Sequence, residues 1–134
     1  MSEKDALQNP RVIVIQKLYG HHLNKQSELN FPKHRYKKFI KDVVNGTIER
    51  KDLIQDIIDT ELREDINENK TELMLKLMIM AAIYEFMFMH KTPTKVVINE
   101  YLKVADFFVP ETQKSFLNAI LDKVSNISLS LIHI

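Results

Sequence analysis

The stretch HKTPTKVVINEYLKVADFF, residues 90–108, decides how the rest of the chain is read. Thr92-Pro93 restarts the chain, because proline suits a first helical turn, where its missing N–H costs nothing. Val97, Ile98, Tyr101, Leu102, Val104, Ala105 and Phe108 then recur at helical spacing and form one broad apolar arc. Asn99, Lys103 and Asp106 fall opposite the arc, and Glu100 sits on its shoulder. Val109-Pro110 ends the segment. The stretch is an amphipathic helix that needs other helices to cover its arc.

Its neighbours supply them. On the C-terminal side, Phe116, Leu117, Ile120, Leu121, Val124 and Ile127 keep helical register, with Ala119 small enough for a close approach. On the N-terminal side, TELMLKLMIMAAIYEFMFM is apolar almost all round, as a central helix covered by its neighbours would be. Its longest uncharged run, Leu77 to Tyr84, is eight residues. Spanning a bilayer takes about 20, so no membrane association is expected.

Further out, Asn9 can cap a helix that has Pro10 at its first position and Val12, Ile15, Tyr19 and Leu23 on one side. After Pro32, a helix places Tyr36, Phe39, Ile40, Val43, Val44 and Ile48 on one stripe. Leu53, Ile54, Ile57, Ile58 and Leu62 mark another. With two Gly and four Pro in 134 residues, the chain reads as an all-α, compact bundle of about six or seven helices. The polar REDINEN stretch separates two helical halves of one domain, residues 9–62 and 71–128. The tail LSLIHI, residues 129–134, leaves the pattern. It back-translates to CTG-TCT-CTT-ATA-CAC-ATC, like the end of a transposon-based sequencing adapter; we expect an artefact and assign it no function.

Composition excludes more than it proposes. Cys is absent, which removes disulfides, thiolate chemistry and Cys-based zinc sites. The first residues, MSEKDALQNP, lack the basic-then-apolar order of a signal peptide, and a cytoplasmic address is expected. His21-His22 are adjacent, so on a helix they point about 100° apart and cannot share a metal as an i, i+4 pair could. His34 and His90 are isolated, and there is no glycine-rich phosphate loop and no GxSxG. We expect no catalytic residue, no metal, no cofactor and no enzyme.

Charge is uneven. Residues 1–51 carry 11 Lys/Arg against 5 Asp/Glu, residues 52–72 carry 2 against 8, and residues 73–134 carry 6 against 5. Such a split suits two surfaces with different partners, or plain solvated helix faces. KHRYKKFIK, residues 33–41, could track a phosphate backbone. With its aromatics on the buried stripe, Lys33, Lys37, Lys38 and Lys41 read more simply as a solvated face.

YEF (84–86), TPTKVVINEYLKVADFF (92–108) and KSFLNAILDKV (114–124), in this order and spacing, resemble the NusB family of bacterial transcription antitermination factors. QKLYGHHL (16–23) and FIKDVVNGTIERKDLIQDII (39–58) are weaker echoes that extend the resemblance over most of the chain. The resemblance implies two helical subdomains and a binding role without catalysis. The implied partners are boxA-like single-stranded RNA of ribosomal RNA operons, the ribosomal protein NusE and the RNA polymerase antitermination complex.

Carried over residue by residue, it also implies a site. Arg11 stands where the family's Arg-rich arm enters the first helix, and Lys4 can assist; the rest of that arm is missing from KDALQNPRV. Phe116 matches an aromatic that can stack on a base, or it begins the apolar stripe. Lys114 beside it can contact phosphate. Tyr19 matches a tyrosine that is either core or RNA-facing. Asn99 and Glu100 are signature residues with a structural role. Glu61, Glu64, Asp65 and Glu68 lie near where the family meets NusE, and can steer a basic ribosomal protein. The missing arginines leave a second possibility, a protein-binding module with weak or lost RNA binding. A third is a stand-alone relative of the NusB-like domain of rRNA cytosine methyltransferases.

Overall fold

A computed structural model describes residues 3–66 and 72–132 of the chain. The described residues form seven helices and no strand: α1 (Glu3–Gln8), α2 (Pro10–Leu23), α3 (Lys37–Glu49), α4 (Lys51–Glu61), α5 (Leu73–Phe88), α6 (Thr94–Phe108) and α7 (Glu111–Ile132). The fold is all-α, as the helical spacing predicts. Helix α7 continues through Ile132, and residues 133–134 of the tail lie outside the described residues.

Local chemistry sets the helix ends. The Asn9 side chain accepts hydrogen bonds from the backbone N–H of Arg11 at 2.9 Å and of Val12 at 3.4 Å, and Pro10 takes the first helical position. Pro93 and Pro110 each stand one position earlier, immediately before α6 and α7. The short α1 is an element the sequence pattern did not mark; it tucks Ala6 into the core.

Helix α5 is the axis of the bundle. It packs against α2, α3, α4, α6 and α7. Every residue from Leu77 to Ile83 is buried, which its all-round apolar sequence demands. Helix α3 comes so close that a Cβ on Gly46 would run into the Tyr84 ring. Gly46 therefore sets the α3–α5 separation.

Four residues lie elsewhere than the periodicity places them. Tyr36 is half exposed, because α3 begins only at Lys37; its ring sits 5.4 Å from the Arg35 guanidinium. Leu53, in the first turn of α4, and Leu23, at the last position of α2, overhang the bundle and are exposed. Ala119 faces solvent between the buried Leu117 and Ile120, so it mediates no close helix approach. The REDINEN stretch begins with a turn that buries Leu62 and Ile66; residues 67–69 of it lie outside the described residues.

Candidate nucleic-acid interface

Arg11 is in the core. Two residues after the Asn9 cap, in the first turn of α2, it is buried, and its Nε donates to Glu85 Oε2 at 2.9 Å and its Nη2 to Glu85 Oε1 at 2.7 Å. The Tyr101 hydroxyl donates to Glu85 Oε2 at 2.5 Å. The guanidinium also lies over the Phe39 ring at 4.7 Å and near the Tyr101 ring at 5.7 Å. Burial works against the arginine's charge, but the hydrogen bonds and charge of Glu85 more than reverse this and hold its pKa above the free value. Burial, followed by the Glu85 charge, pushes the Tyr101 phenol well above its ordinary value. Arg11, expected at a phosphate, is here engaged in a buried bidentate ion pair that joins α2 to α5, with the Tyr101 hydroxyl tying α6 to the same carboxylate.

The other residues expected to meet RNA are nearer the surface. Lys4 on α1 is exposed, and Tyr19 on α2 keeps 38% of its surface. Lys114 in the first turn of α7 reaches back to Asp106 of α6 at 2.9 Å, and that hydrogen bond raises its pKa. Phe116, half-buried, packs against the core from the next turn. Two positions apart on a helix is about 200°, so Lys114 and Phe116 leave α7 in different directions. Lys33, Lys37, Lys38 and Lys41 are all exposed; Lys38 pairs with Asp42 at 2.8 Å, and Lys41 stands 5.9 Å from the Phe31 ring. Of the two signature residues, Asn99 is exposed and Glu100 makes an ion pair with Lys103 at 3.4 Å.

The acidic residues do converge. Lys123 of α7 bonds Asp65 at 2.6 Å, and its pKa is raised first by that hydrogen bond and further by the charges of Asp65, Glu64 and Glu61. Glu61, Glu64 and Asp65 are exposed around that lysine, on a shallow surface lined by Thr60, Glu61, Arg63 and Glu64. Glu68 lies outside the described residues. Among the described residues no group of three or more His, Asp or Glu is placed to hold a metal ion, and no helix is long and apolar enough to cross a membrane.

Periodicity and spacing left Glu85 without a role. The available signal was its loneliness: a single carboxylate within an apolar helix needs a buried cation, and Arg11 is the arginine that begins a buried helix.

Comparison with known proteins identifies the architecture. The model of the NusB family matches residues 8–126. A transcription antitermination protein NusB from Rickettsia bellii is 35% identical over 86 residues, which cover 64% of this chain and 55% of the relative. One of the same name from Rickettsia typhi is 34% identical over 85 residues, covering 63% and 55%. The matched stretch therefore spans about half the length of these relatives. A solved structure of T. maritima NusB superposes with a TM-score of 0.77 at 22% identity, covering 89% of each chain, a likeness of fold.

Proposed function

The chain belongs to the NusB family, and on that premise we propose that it is a transcription antitermination factor, binding boxA RNA of ribosomal RNA operons together with NusE and performing no catalysis. The match across residues 8–126 is the observation that carries this reading. In it, Phe116 stacks on an exposed base, Lys114 exchanges Asp106 for a phosphate, and Lys4 and Tyr19 complete the contact. The complex then acts on RNA polymerase.

Fluorescence anisotropy of a boxA RNA and a scrambled control, with and without NusE, tests it. Selective binding enhanced by NusE is expected. Phe116→Ala should weaken it about 5- to 100-fold, the worth of one stacked base. Phe116→Leu, which keeps the apolar packing, separates stacking from helix stability; if it binds like the parent, Phe116 does not stack on RNA. With Arg11 turned inward, Lys4 and Lys114 are the expected phosphate contacts left, so the slope of log association constant against log salt should be about −1.4, at roughly −0.7 per contact.

The burial of Arg11 favours a second reading, in which NusE binding persists and RNA binding is weak. Glu61, Glu64 and Asp65 would then be the main recognition surface. In either reading these carboxylates steer a basic partner. Glu61→Lys with Glu64→Lys should slow association with NusE about tenfold at low salt, with the difference closing as salt rises. An association rate unchanged at low salt would remove the acidic surface from the encounter. Retained NusE binding without boxA binding would select the second reading over the first.

A further inference from the structure

The ends of four helices enclose a cavity away from Phe116, Lys114 and the acidic surface. It measures about 120 Å³ and is walled by Leu18 of α2, Ile48 of α3, and Leu77 and Met80 of α5. That size is close to the cavity of about 150 Å³ that takes up benzene in an engineered protein core. Two polar groups break the apolar wall. Thr47, 2% exposed, lines the cavity with an Oγ1 that has no protein hydrogen-bond partner, and His21 lines it with a buried Nδ1 in the same condition. Buried hydroxyls and imidazoles without a partner are costly, so a polar ligand atom that entered the cavity would gain hydrogen bonds from both.

The rim is cationic. Lys25, from the loop after α2, Lys51 of α4 and Lys76 of α5 all line the opening, and among the described residues that line it none is acidic. Burial lowers the Lys51 pKa, and the neighbouring Lys25 and Lys76 charges lower it further, with Asp52 offsetting part of this. Like charges gathered over an apolar cavity would favour an anion at the mouth.

We propose that this cavity binds a small amphipathic anion, with a single-ring or short aliphatic body against Leu18, Leu77 and Met80. Its carboxylate or phosphate head lies between Lys25, Lys51 and Lys76. Thr47 Oγ1–H and the Nδ1–H tautomer of His21 both donate to the innermost oxygen of that head group.

The test is an amide NMR titration of the full chain with phenyl phosphate. Benzoate and hexanoate distinguish head group from body, and benzyl alcohol and inorganic phosphate supply each half alone. Saturable shifts confined to residues 18–25, 47–51 and 73–80 are expected. A Kd of about 1 mM is in reach of a ligand of this size, with the two half-ligands at least about tenfold weaker. Lys51→Gln should raise the Kd of phenyl phosphate about fivefold, and Thr47→Val about tenfold. Because valine replaces an unsatisfied hydroxyl with a methyl of similar shape, Thr47→Val should also raise the Tm of the free protein by about 3–5 °C. A variant that is more stable yet binds less tightly marks a binding group, since a purely structural threonine would leave the Kd unchanged. Non-saturating shifts, or shifts indifferent to both substitutions, would overturn the proposal. So would displacement of phenyl phosphate by an RNA oligonucleotide, which would assign the cavity to nucleic acid.

Discussion

Glu85→Ala is expected to remove about 3–5 kcal/mol of folding stability, because it strands a buried guanidinium rather than merely deleting a contact. Glu85 is 1% exposed and Arg11 is 8% exposed, so no solvent can take over the charge. The same substitution orphans the Tyr101 hydroxyl, which donates to Glu85 and is fully buried. A domain of this size has a total of roughly 5–15 kcal/mol, so the variant should stand near its unfolding threshold at physiological temperature. Urea unfolding followed by far-UV circular dichroism measures it; the chain has no tryptophan to report by fluorescence. The apolar triple variant Arg11→Met, Glu85→Leu, Tyr101→Phe should recover most of the loss, since well-packed apolar replacements of buried ion pairs are often neutral. If Glu85→Ala cost less than about 1 kcal/mol, the ion pair would have to be solvated, contrary to its geometry.

The network also carries a pH signature. The Tyr101 pKa is raised in the folded protein, chiefly by burial and then by the Glu85 charge. Its contribution to stability is therefore fully present below the ordinary tyrosine value of about 10, and is lost as pH climbs from there towards the raised native value. Tyr101→Phe should cost stability at neutral pH, by loss of its bond to Glu85. It should also flatten the alkaline part of the stability curve. A Tyr101→Phe variant with the parent's alkaline slope would place the titrating groups elsewhere.

What the sequence made legible is what local chemistry determines. Asn9-Pro10 marked a helix start because a cap acts over three residues, and α5 announced itself because an all-round apolar helix has only one place to go. The acidic surface was legible for the same reason, since Glu61, Glu64 and Asp65 are neighbours in the chain. Periodicity assigns a residue to a face but does not say how far the partner helix extends along that face. Leu23, Leu53 and Tyr36 therefore sit on an apolar stripe and still end up exposed, at helix ends or before a start. The Arg11–Glu85 pair spans 74 positions, and nothing local couples its two halves. Reading Arg11 along the chain alone therefore leaves its buried partner out of view. The insertion of Lys123 among the carboxylates and the cavity at four helix ends are tertiary in the same sense.

Leu121→Ala is expected to cost about 2–5 kcal/mol, the range for deleting a buried leucine's side chain into a cavity that cannot collapse. Leu121 is fully buried, as is Leu117 one turn before it, on the face of α7 that packs against α5 and α6. Collapse is opposed because α5 is also packed against α2, α3 and α4, which resist its following the missing atoms. Leu121→Met, similar in volume, should cost less than about 1.5 kcal/mol, and the gap between the two variants measures the cavity. The consequence reaches the surface, because α7 presents Lys114 and Phe116 at its start and Lys123 two turns later. Each surface ion pair of α7, with Asp106 and with Asp65, is individually worth little, so it is Leu117, Leu121 and their neighbours that hold those side chains in place. A Leu121→Ala protein kept well below its lowered Tm should thus bind the proposed boxA RNA and NusE as the parent does. If binding fell while the fold remained populated, α7 would be adjusting its position on α5 as part of recognition.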